Sequence, residues 1–184
     1  MPQLYKGKTI PKKEILTAAK KIKLLILDVD GVLTDGSIIL DNFGNELKSF
    51  HVRDGHGIKM LMKAGIHVAL ITGRQSKVVE KRADELGIRD VFQKCYDKTT
   101  AYDQLARKYS LDYSEIAYIG DDVVDIPVLK RSGLSVVVAD ADDETKAFAQ
   151  FITTKGGGRG AVREICDLLL KAKGLWKDRT NGNA

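Results

Sequence analysis

The sequence has little cysteine, little proline and no long hydrophobic run, and each scarcity excludes a class of protein. Its 184 residues include two cysteines and three prolines. Cys95 and Cys166 cannot make a disulfide framework and lack the Cys/His spacing of a zinc site, which fits a reducing compartment. No apolar run approaches the roughly 20 residues of a membrane helix, and the N-terminal segment lacks the apolar core of a signal peptide. We therefore expect a cytoplasmic protein with no membrane partner.

The remaining composition is that of an ordinary globular protein, with 43% hydrophobic and 30% charged residues. A chain of this length buries enough surface for a core without help from disulfides or a structural metal. We expect a single domain over residues 1–184, with a flexible polar tail at about 175–184.

The net charge of +5 suggests an anionic partner, and part of it comes from a cluster of lysines near the start. These are Lys6, Lys8, Lys12, Lys13, Lys20, Lys21 and Lys23. Nucleic acid is one interpretation of a basic chain. The cluster has few interleaved aromatic residues and no recognition-helix motif, which favours a solvated helix face. We expect no nucleic-acid partner.

Short apolar runs alternate with segments of helical periodicity along the chain. The apolar runs cover residues 24–27, 68–71, 116–119 and 134–138. The helical segments cover residues 54–64, 75–86, 98–109, 124–131 and 161–171. Apolar runs without alternation are typical of strands buried on both faces. The order predicts an α/β fold, a doubly wound and mostly parallel sheet with helices on both sides.

One segment interrupts this order. Residues 37–52 read as two short strands around a turn at 42–45, which predicts a β-hairpin between the first strand and the first helix of the sheet. The insertion is too short to form a separate domain.

Polar side chains stand directly after three predicted strands: Asp28 and Asp30, Thr72, and Asp121. Ligands of open α/β sheets bind beyond the carboxyl ends of the strands. A cluster of carboxylates there is costly unless a cation relieves it, and Mg²⁺ prefers such oxygen ligands. No imidazole or thiolate lies near these motifs, which disfavours zinc. The alternative is that each aspartate merely caps a helix or ends a strand. This alternative explains a single aspartate better than it explains all three together.

Four segments resemble, in their order and spacing, the motifs of the haloacid dehalogenase-like phosphatases. They are DVDGVLTDG at 28–36, ITGR at 71–74, Lys98, and GDDVVD at 120–125. Two further segments, FHVRDGHGI at 50–58 and GGGRGAVREICDLLL at 156–170, resemble the subfamily that acts on 3-deoxy-D-manno-octulosonate 8-phosphate. This resemblance implies a Rossmann-like fold of the haloacid dehalogenase type without a cap domain. It also implies a homotetramer whose hairpins associate between subunits.

The resemblance implies a catalytic role for four residues. Asp28 would be the nucleophile and form an aspartyl-phosphate, and Asp30 would protonate the leaving group and then activate water. Thr72 and the Gly73 amide would bind the phosphoryl group, with the start of a helix favouring the anion. Lys98 would neutralise the charge that develops and steady Asp28.

The resemblance also implies a magnesium site and a set of arginines that recognise the substrate. The Asp28 carboxylate, the Asp30 carbonyl and Asp121 would hold Mg²⁺, while Asp122 and Asp125 would orient these ligands from behind. The substrate implied is a small phosphorylated sugar acid. Its carboxylate needs cations beyond the metal, and the candidates are Arg53, Arg74, Arg159 and, more weakly, Arg163.

Three alternatives stay open at the level of sequence. The first is a phosphatase of another sugar-acid phosphate, such as the sialic-acid type. The second is a regulatory module that binds phosphate or metal without turnover, and the third is an enzyme of nucleic-acid end repair. Asp30 argues against the second, because loss of the acid/base residue is the expected mark of a module that does not turn over.

Overall fold

Six parallel strands form the central sheet. The computed structural model describes residues 12–176. The strands are β1 (Leu24–Leu27), β4 (His67–Ile71), β5 (Asp90–Phe92), β6 (Ile116–Gly120), β7 (Leu134–Val137) and β8 (Phe151–Ile152). Their order in the sheet is β5-β4-β1-β6-β7-β8, and every pairing is parallel. This arrangement confirms the predicted doubly wound α/β fold.

Helices flank the sheet. They are α1 (Lys12–Lys21), α2 (Val52–Lys63), α3 (Lys77–Leu86), α4 (Lys98–Lys108), α5 (Ile126–Leu129), α6 (Asp143–Lys146) and α7 (Ala161–Ala172). Helix α7 packs against α1 and α2, α2 contacts α3, and α4 packs against α5. Connections between parallel strands are right-handed as a rule, which places α1, α2, α3 and α7 on one face of the sheet and α4 and α5 on the other. Within residues 12–176, no helix combines the length and the apolar character needed to cross a bilayer.

The core is centred on β1, whose four residues are all inaccessible to solvent. A strand with sheet neighbours on both sides and helices on both faces has no exposed side, which explains its continuous apolar sequence. The lysine-rich helix α1 contributes Ile15 and Ala19 to this core. Its lysines lie mainly on the exposed side, as the sequence predicts.

The structure corrects one predicted helix and adds two strands. The helix expected at 124–131 is only α5, and a 3-10 turn, Val123–Asp125, precedes it. The Asp122 carboxylate accepts from the Val123 amide (2.7 Å) and caps that turn, and Pro127 has no amide hydrogen to donate within a longer helix. Strands β5 and β8 have three and two residues, too few for a recognisable apolar run.

The predicted hairpin consists of β2 (Ile39–Leu40) and β3 (Glu46–Leu47), which pair antiparallel. Asp41 holds its turn, because its Oδ1 accepts from the amides of Phe43 and Asn45, each at 2.8 Å. The hairpin is the only element between β1 and α2, and no cap domain is inserted within the described residues. Of the predicted tail at 175–184, only the first two positions lie within the described residues.

The position of β1 between β4 and β6 decides where a site can form. The chain leaves β1 toward β4 and β5, and later returns on the other side to β6 and β7. Neighbouring connections diverge at such a switch point and leave a crevice at the carboxyl ends of the strands.

Candidate active site

A buried lysine joins two aspartates from different strands. Lys98 Nζ lies 3.0 Å from Asp28 Oδ2 and 2.6 Å from Asp125 Oδ1. Asp28 follows β1, Lys98 begins α4, and Asp125 ends the turn after β6. All three side chains are at most 8% exposed. Buried charges are costly unless they are paired. The lysine and the two aspartates can be buried together because their charges neutralise one another in part.

The Asp125 carboxylate is fully buried and accepts four hydrogen bonds. Oδ1 accepts from Lys98 Nζ and from the Tyr118 hydroxyl at 2.5 Å, and Oδ2 accepts from the amides of Asp121 and Asp122 at 3.0 and 3.3 Å. Its oxygens are therefore already engaged, and this carboxylate fixes the backbone of the turn that carries Asp121.

Three carboxylates meet closely enough to share a cation. Oxygens of Asp28, Asp121 and Asp125 all lie within 4.8 Å of one another. Because Asp125 is saturated with donors, Asp28 and Asp121 are the side chains left to bind a metal. Asp121 Oδ1 is buried and has no hydrogen-bond donor. A hard divalent cation such as Mg²⁺, which takes oxygen ligands, fits this donor set.

The electrostatics of the carboxylate cluster favour binding of a cation. Burial, with the Asp125 charge added, raises the pKa of Asp28 to about 7 against the lowering effect of Lys98. Burial and the Asp28 and Asp125 charges raise the pKa of Asp121 to about 8. Burial alone lowers the pKa of Lys98, but the charges of Asp28 and Asp125 outweigh it and raise that pKa. One lysine does not suffice for this cluster of carboxylates.

The Asp30 carboxylate contacts a different lysine. Lys48, just after β3, donates to Asp30 Oδ1, and Lys48 Nζ also lies 3.2 Å from Glu46 Oε1. The same Glu46 oxygen accepts from Arg74 Nη2 (2.7 Å), and Oε2 accepts from Ser76 Oγ (2.5 Å). The hairpin thus reaches from Asp30 to the loop between β4 and α3.

Thr72 is buried directly after β4, and its hydroxyl accepts from the Arg74 amide at 3.3 Å. Gly73 follows it, half-buried, and an added Cβ there would meet no atom within 4 Å. The expectation that a helix begins at these residues is wrong. Helix α3 begins at Lys77, with Ser76 as its N-cap, so its dipole is not centred on Thr72.

A glycine-rich loop, residues 156–160, covers the turn after Asp30. Gly31 has φ +87°, and an added Cβ would overlap the Asp121 carboxyl. Gly157 lies against the Gly31 and Thr34 carbonyls with no room for a side chain. This loop therefore lies beside the site, packed on the turn between β1 and β2.

The other predicted arginines differ in their exposure and in their ion-pair partners. Arg159 Nη2 binds Asp35 Oδ2 at 3.1 Å and is 70% exposed. Arg53 is exposed on the first turn of α2, and Arg163 is paired with Asp167 at 2.6 Å. The Asp97 carboxylate, next to Lys98 in the chain, caps α4 by accepting from the Thr99 amide at 3.0 Å.

Sequence reasoning missed Lys48, Glu46, Ser76 and Tyr118. Lys48, Glu46 and Ser76 take part through contacts between distant segments of the chain: Lys48 with Asp30, and Glu46 with Ser76 and Arg74. Tyr118 stands within the apolar run of β6, where a tyrosine is expected to fill the core. A signal was available for the hairpin, since Glu46 and Lys48 alternate with the apolar Leu47.

Comparison with known proteins agrees with this geometry. A family profile of the haloacid dehalogenase-like hydrolases matches residues 82–165. The 3-deoxy-D-manno-octulosonate 8-phosphate phosphatase KdsC of Salmonella typhi is 50% identical over 160 residues, which are 87% of this chain and 85% of that protein. The crystal structure of the Yersinia pestis phosphatase of that name has a TM-score of 0.87 and 48% identity, with 88% of each chain covered.

A second solved structure contains ligands. The Moraxella catarrhalis phosphatase, in complex with a magnesium ion, a phosphate ion and a KDO molecule, is 46% identical with a TM-score of 0.87, covering 89% of this chain and 94% of that one. Identity of this level over most of both chains is a family relationship. The chain belongs to the 3-deoxy-D-manno-octulosonate 8-phosphate phosphatases, a family of haloacid dehalogenase-like hydrolases, and is a phosphoric monoester hydrolase.

Proposed function

We propose that the chain hydrolyses 3-deoxy-D-manno-octulosonate 8-phosphate to the free sugar acid and phosphate, with Mg²⁺ and through an aspartyl-phosphate on Asp28. The observation that carries this proposal is the convergence of Asp28, Asp121 and Lys98 at the switch point of the sheet. The complex of the Moraxella catarrhalis relative with magnesium, phosphate and KDO supports the same metal and a substrate that yields phosphate and this sugar acid.

Asp28 would attack the phosphorus through a carboxylate oxygen. Lys98 lies 3.0 Å from Asp28 Oδ2, leaving Oδ1 for the attack. A carboxylate approaches a phosphate dianion only if their repulsion is suppressed, and the Lys98 ammonium supplies part of that charge. The Thr72 hydroxyl and the Gly73 amide, at the end of the adjacent strand, would bind the phosphoryl oxygens.

The metal would be held by the Asp28 carboxylate, the Asp30 carbonyl and Asp121, with Asp122 and Asp125 orienting this set. When bound, Mg²⁺ lowers the cost of bringing the substrate phosphate to the carboxylates. The orphaned Oδ1 of Asp121 supports its place among the ligands. The four bonds to Asp125 support an orienting role instead of direct ligation.

Asp30 would give a proton to the leaving alkoxide and then take one from the water that hydrolyses the aspartyl-phosphate. Arg74, Arg53 and Arg159 would recognise the sugar-acid carboxylate. Arg74 has the best support, because it is half-buried and follows the Thr72–Gly73 segment directly.

The biological setting and the assembly belong to the proposal as well. The product would feed lipopolysaccharide precursor synthesis in the cytoplasm. Residues 1–184 would form a single domain, and four copies of the chain would assemble into a homotetramer. Support for the assembly comes from the hairpin, where Ile38, Leu40 and Phe43 are 64%, 60% and 91% exposed. Adjacent apolar side chains of this size commonly mark a protein interface.

The test is phosphate release from a panel of phosphorylated sugars and sugar acids, with Mg²⁺ and with chelator. Release from 3-deoxy-D-manno-octulosonate 8-phosphate that needs metal and is abolished in Asp28→Asn is the expected result. Preference for a sialic-acid-type phosphate would keep the chemistry and change the substrate. Absence of release from every compound by the folded, magnesium-loaded wild type would refute the proposal in favour of a binding module.

A further inference from the structure

The second strand of the hairpin turns its charged side chains toward the protein and its apolar ones toward solvent. Alternate residues of a strand point to opposite faces. The side chains of Glu46 and Lys48 are 18% and 1% exposed, whereas Leu47 between them is 53% exposed and its partner Ile39 is 46% exposed. A strand on a protein surface normally has the opposite pattern. The inward charges therefore need a specific reason to be buried.

That reason is a chain of ion pairs. Lys48 donates to Asp30 Oδ1 and lies near Glu46 Oε1, and Glu46 in turn binds Arg74 and Ser76. Burial raises the pKa of Glu46, but the hydrogen bonds from Ser76 and Lys48 and the two cationic charges outweigh it and lower that pKa. Glu46 is thus a fixed anion that anchors Lys48.

We propose that Lys48 is a positioning residue for Asp30: it holds the carboxyl by Oδ1 and thereby fixes the direction in which Asp30 transfers a proton to the leaving group. This inference rests on the proposed function, and it assigns the hairpin a part in the chemistry of its own subunit.

The contact is suited to this task because little else restrains the Asp30 side chain. Among the described residues, Lys48 is the one side chain that hydrogen-bonds to the Asp30 carboxylate. Asp30 is followed by Gly31 in a tight turn outside any strand, so the sheet does not fix its rotamer. Lys48 itself is buried and held by Glu46, so the donor is preorganised. Preorganised geometry matters because a misdirected proton donor loses much of its effect.

A purely structural explanation is that the ion pairs only fasten the hairpin to the protein. The two explanations differ in how the loss of Lys48 depends on the leaving group. A sugar alkoxide needs a proton as it leaves, whereas p-nitrophenolate is a stable anion that leaves without one. Asp30 also serves the hydrolysis of the aspartyl-phosphate, which both substrates share, but kcat/KM covers only the steps through departure of the leaving group. A mispositioned Asp30 therefore lowers kcat/KM for the sugar phosphate selectively, and a loosened hairpin lowers it for both substrates alike.

The experiment compares Lys48→Met, which keeps the volume and removes the donor, with Lys48→Arg, which keeps a cationic donor. Lys108→Met is the control, because Lys108, although its side chain is 53% exposed, also forms an ion pair with an aspartate, the buried Asp90, outside the site. For each Mg²⁺-loaded protein, kcat and KM are measured with 3-deoxy-D-manno-octulosonate 8-phosphate and with p-nitrophenyl phosphate. Thermal unfolding and calorimetric Mg²⁺ affinity are recorded alongside.

For Lys48→Met we expect kcat/KM on the sugar phosphate to fall by about 30-fold or more, a part of the roughly 10²–10⁴-fold that proton transfer contributes. The kcat/KM on p-nitrophenyl phosphate and the Mg²⁺ affinity should change little. Lys48→Arg should recover most of the loss, and Lys108→Met should behave as wild type. Glu46→Gln, which keeps Lys48 but removes its anchor, should show a smaller loss with the same selectivity.

Equal losses of kcat/KM on both substrates, no loss on either, or a loss that Lys48→Arg does not recover would each overturn the role of Lys48. If Lys48→Met does not fold, the selectivity of Glu46→Gln decides: a loss confined to the sugar phosphate supports the role, and a uniform loss or none refutes it. The proposed function fails separately, by an inactive wild type or an active Asp28→Asn.

Discussion

Lys98 Nζ lies 3.0 Å from Asp28 Oδ2, although Asp28 follows the central strand β1 and Lys98 begins the helix that follows the edge strand β5 in the chain. The contact is buried, and the lysine is shared with Asp125 at 2.6 Å. Lys98 therefore positions the proposed nucleophile, Asp28, and is itself held in place by Asp125.

Replacing Lys98 by methionine should abolish phosphatase activity and destabilise the protein. The substitution leaves Asp28 and Asp125 buried without their cation, and breaking a buried pair commonly costs about 3–5 kcal/mol. Kinetics and chemical unfolding with and without Mg²⁺ measure both effects. Because the metal supplies positive charge beside Asp28, Mg²⁺ should restore stability but not activity. A variant as stable as wild type without metal would contradict this account.

Replacing Tyr118 by phenylalanine should weaken the site without disrupting the fold. The Tyr118 hydroxyl donates to Asp125 Oδ1 at 2.5 Å, and its removal leaves a buried carboxylate with one donor fewer. We expect a loss of stability of about 1–3 kcal/mol and a weaker Mg²⁺ affinity by calorimetry, since Asp125 fixes the Asp121 backbone. Tyr102→Phe is the control, because Tyr102 is as buried but is not bonded to a site carboxylate. Identical Mg²⁺ affinity in both variants would refute the link.

The metal-free protein should lose stability as the pH rises from about 4 to 8. The pKa of Asp28 is raised to about 7 and that of Asp121 to about 8, from an ordinary value of 3.8. Between these values the folded protein binds protons that the unfolded chain does not, so stability falls with rising pH. Thermal unfolding in chelator should show a shallower fall for Asp121→Asn. Parallel curves for the two proteins would contradict the assignment.

Replacing Asp54 by alanine should reduce stability while leaving the chemistry intact. Asp54 Oδ1 accepts from the Arg163 amide at 2.7 Å, in the first turn of α7, where the N-cap Gly160 has no side chain. Burial raises the pKa of Asp54 against the effect of this bond. Loss of such a cap costs about 1–2 kcal/mol, measured by chemical unfolding. Asp54→Asn keeps an acceptor and should lose less; an equal loss would show that charge, not capping, is what matters.

Replacing Leu40 by glutamate should dissociate the proposed tetramer. Leu40 is 60% exposed on the hairpin, and a charge there opposes burial against another subunit. Sedimentation velocity of wild type and variant measures the change. Leu175→Glu is the control, since Leu175 is 44% exposed but lies outside the hairpin. An active wild-type monomer would refute the predicted assembly itself.

The sheet and the residues at its edge were predictable because both follow from local pattern. Buried strands are continuous apolar runs, and Asp28, Thr72 and Asp121 stand directly after such runs. The edge strands β5 and β8 were not predictable, since two or three residues carry no periodic signal. The helix predicted at 75–86 begins two residues later, at Lys77, with Ser76 at its N-cap position and the Ser76 hydroxyl bonded to Glu46 instead of capping the helix.

The sequence by itself determined which residues reach the carboxyl edge of the sheet, because a parallel strand delivers whatever follows its last buried residue to that edge. Only the tertiary structure decided their partners. Asp28 and Asp30 are two positions apart, yet one pairs with Lys98 and the other with Lys48. Each pairing depends on how a helix or a hairpin packs across the sheet, and no local spacing encodes contacts between segments so far apart in the chain.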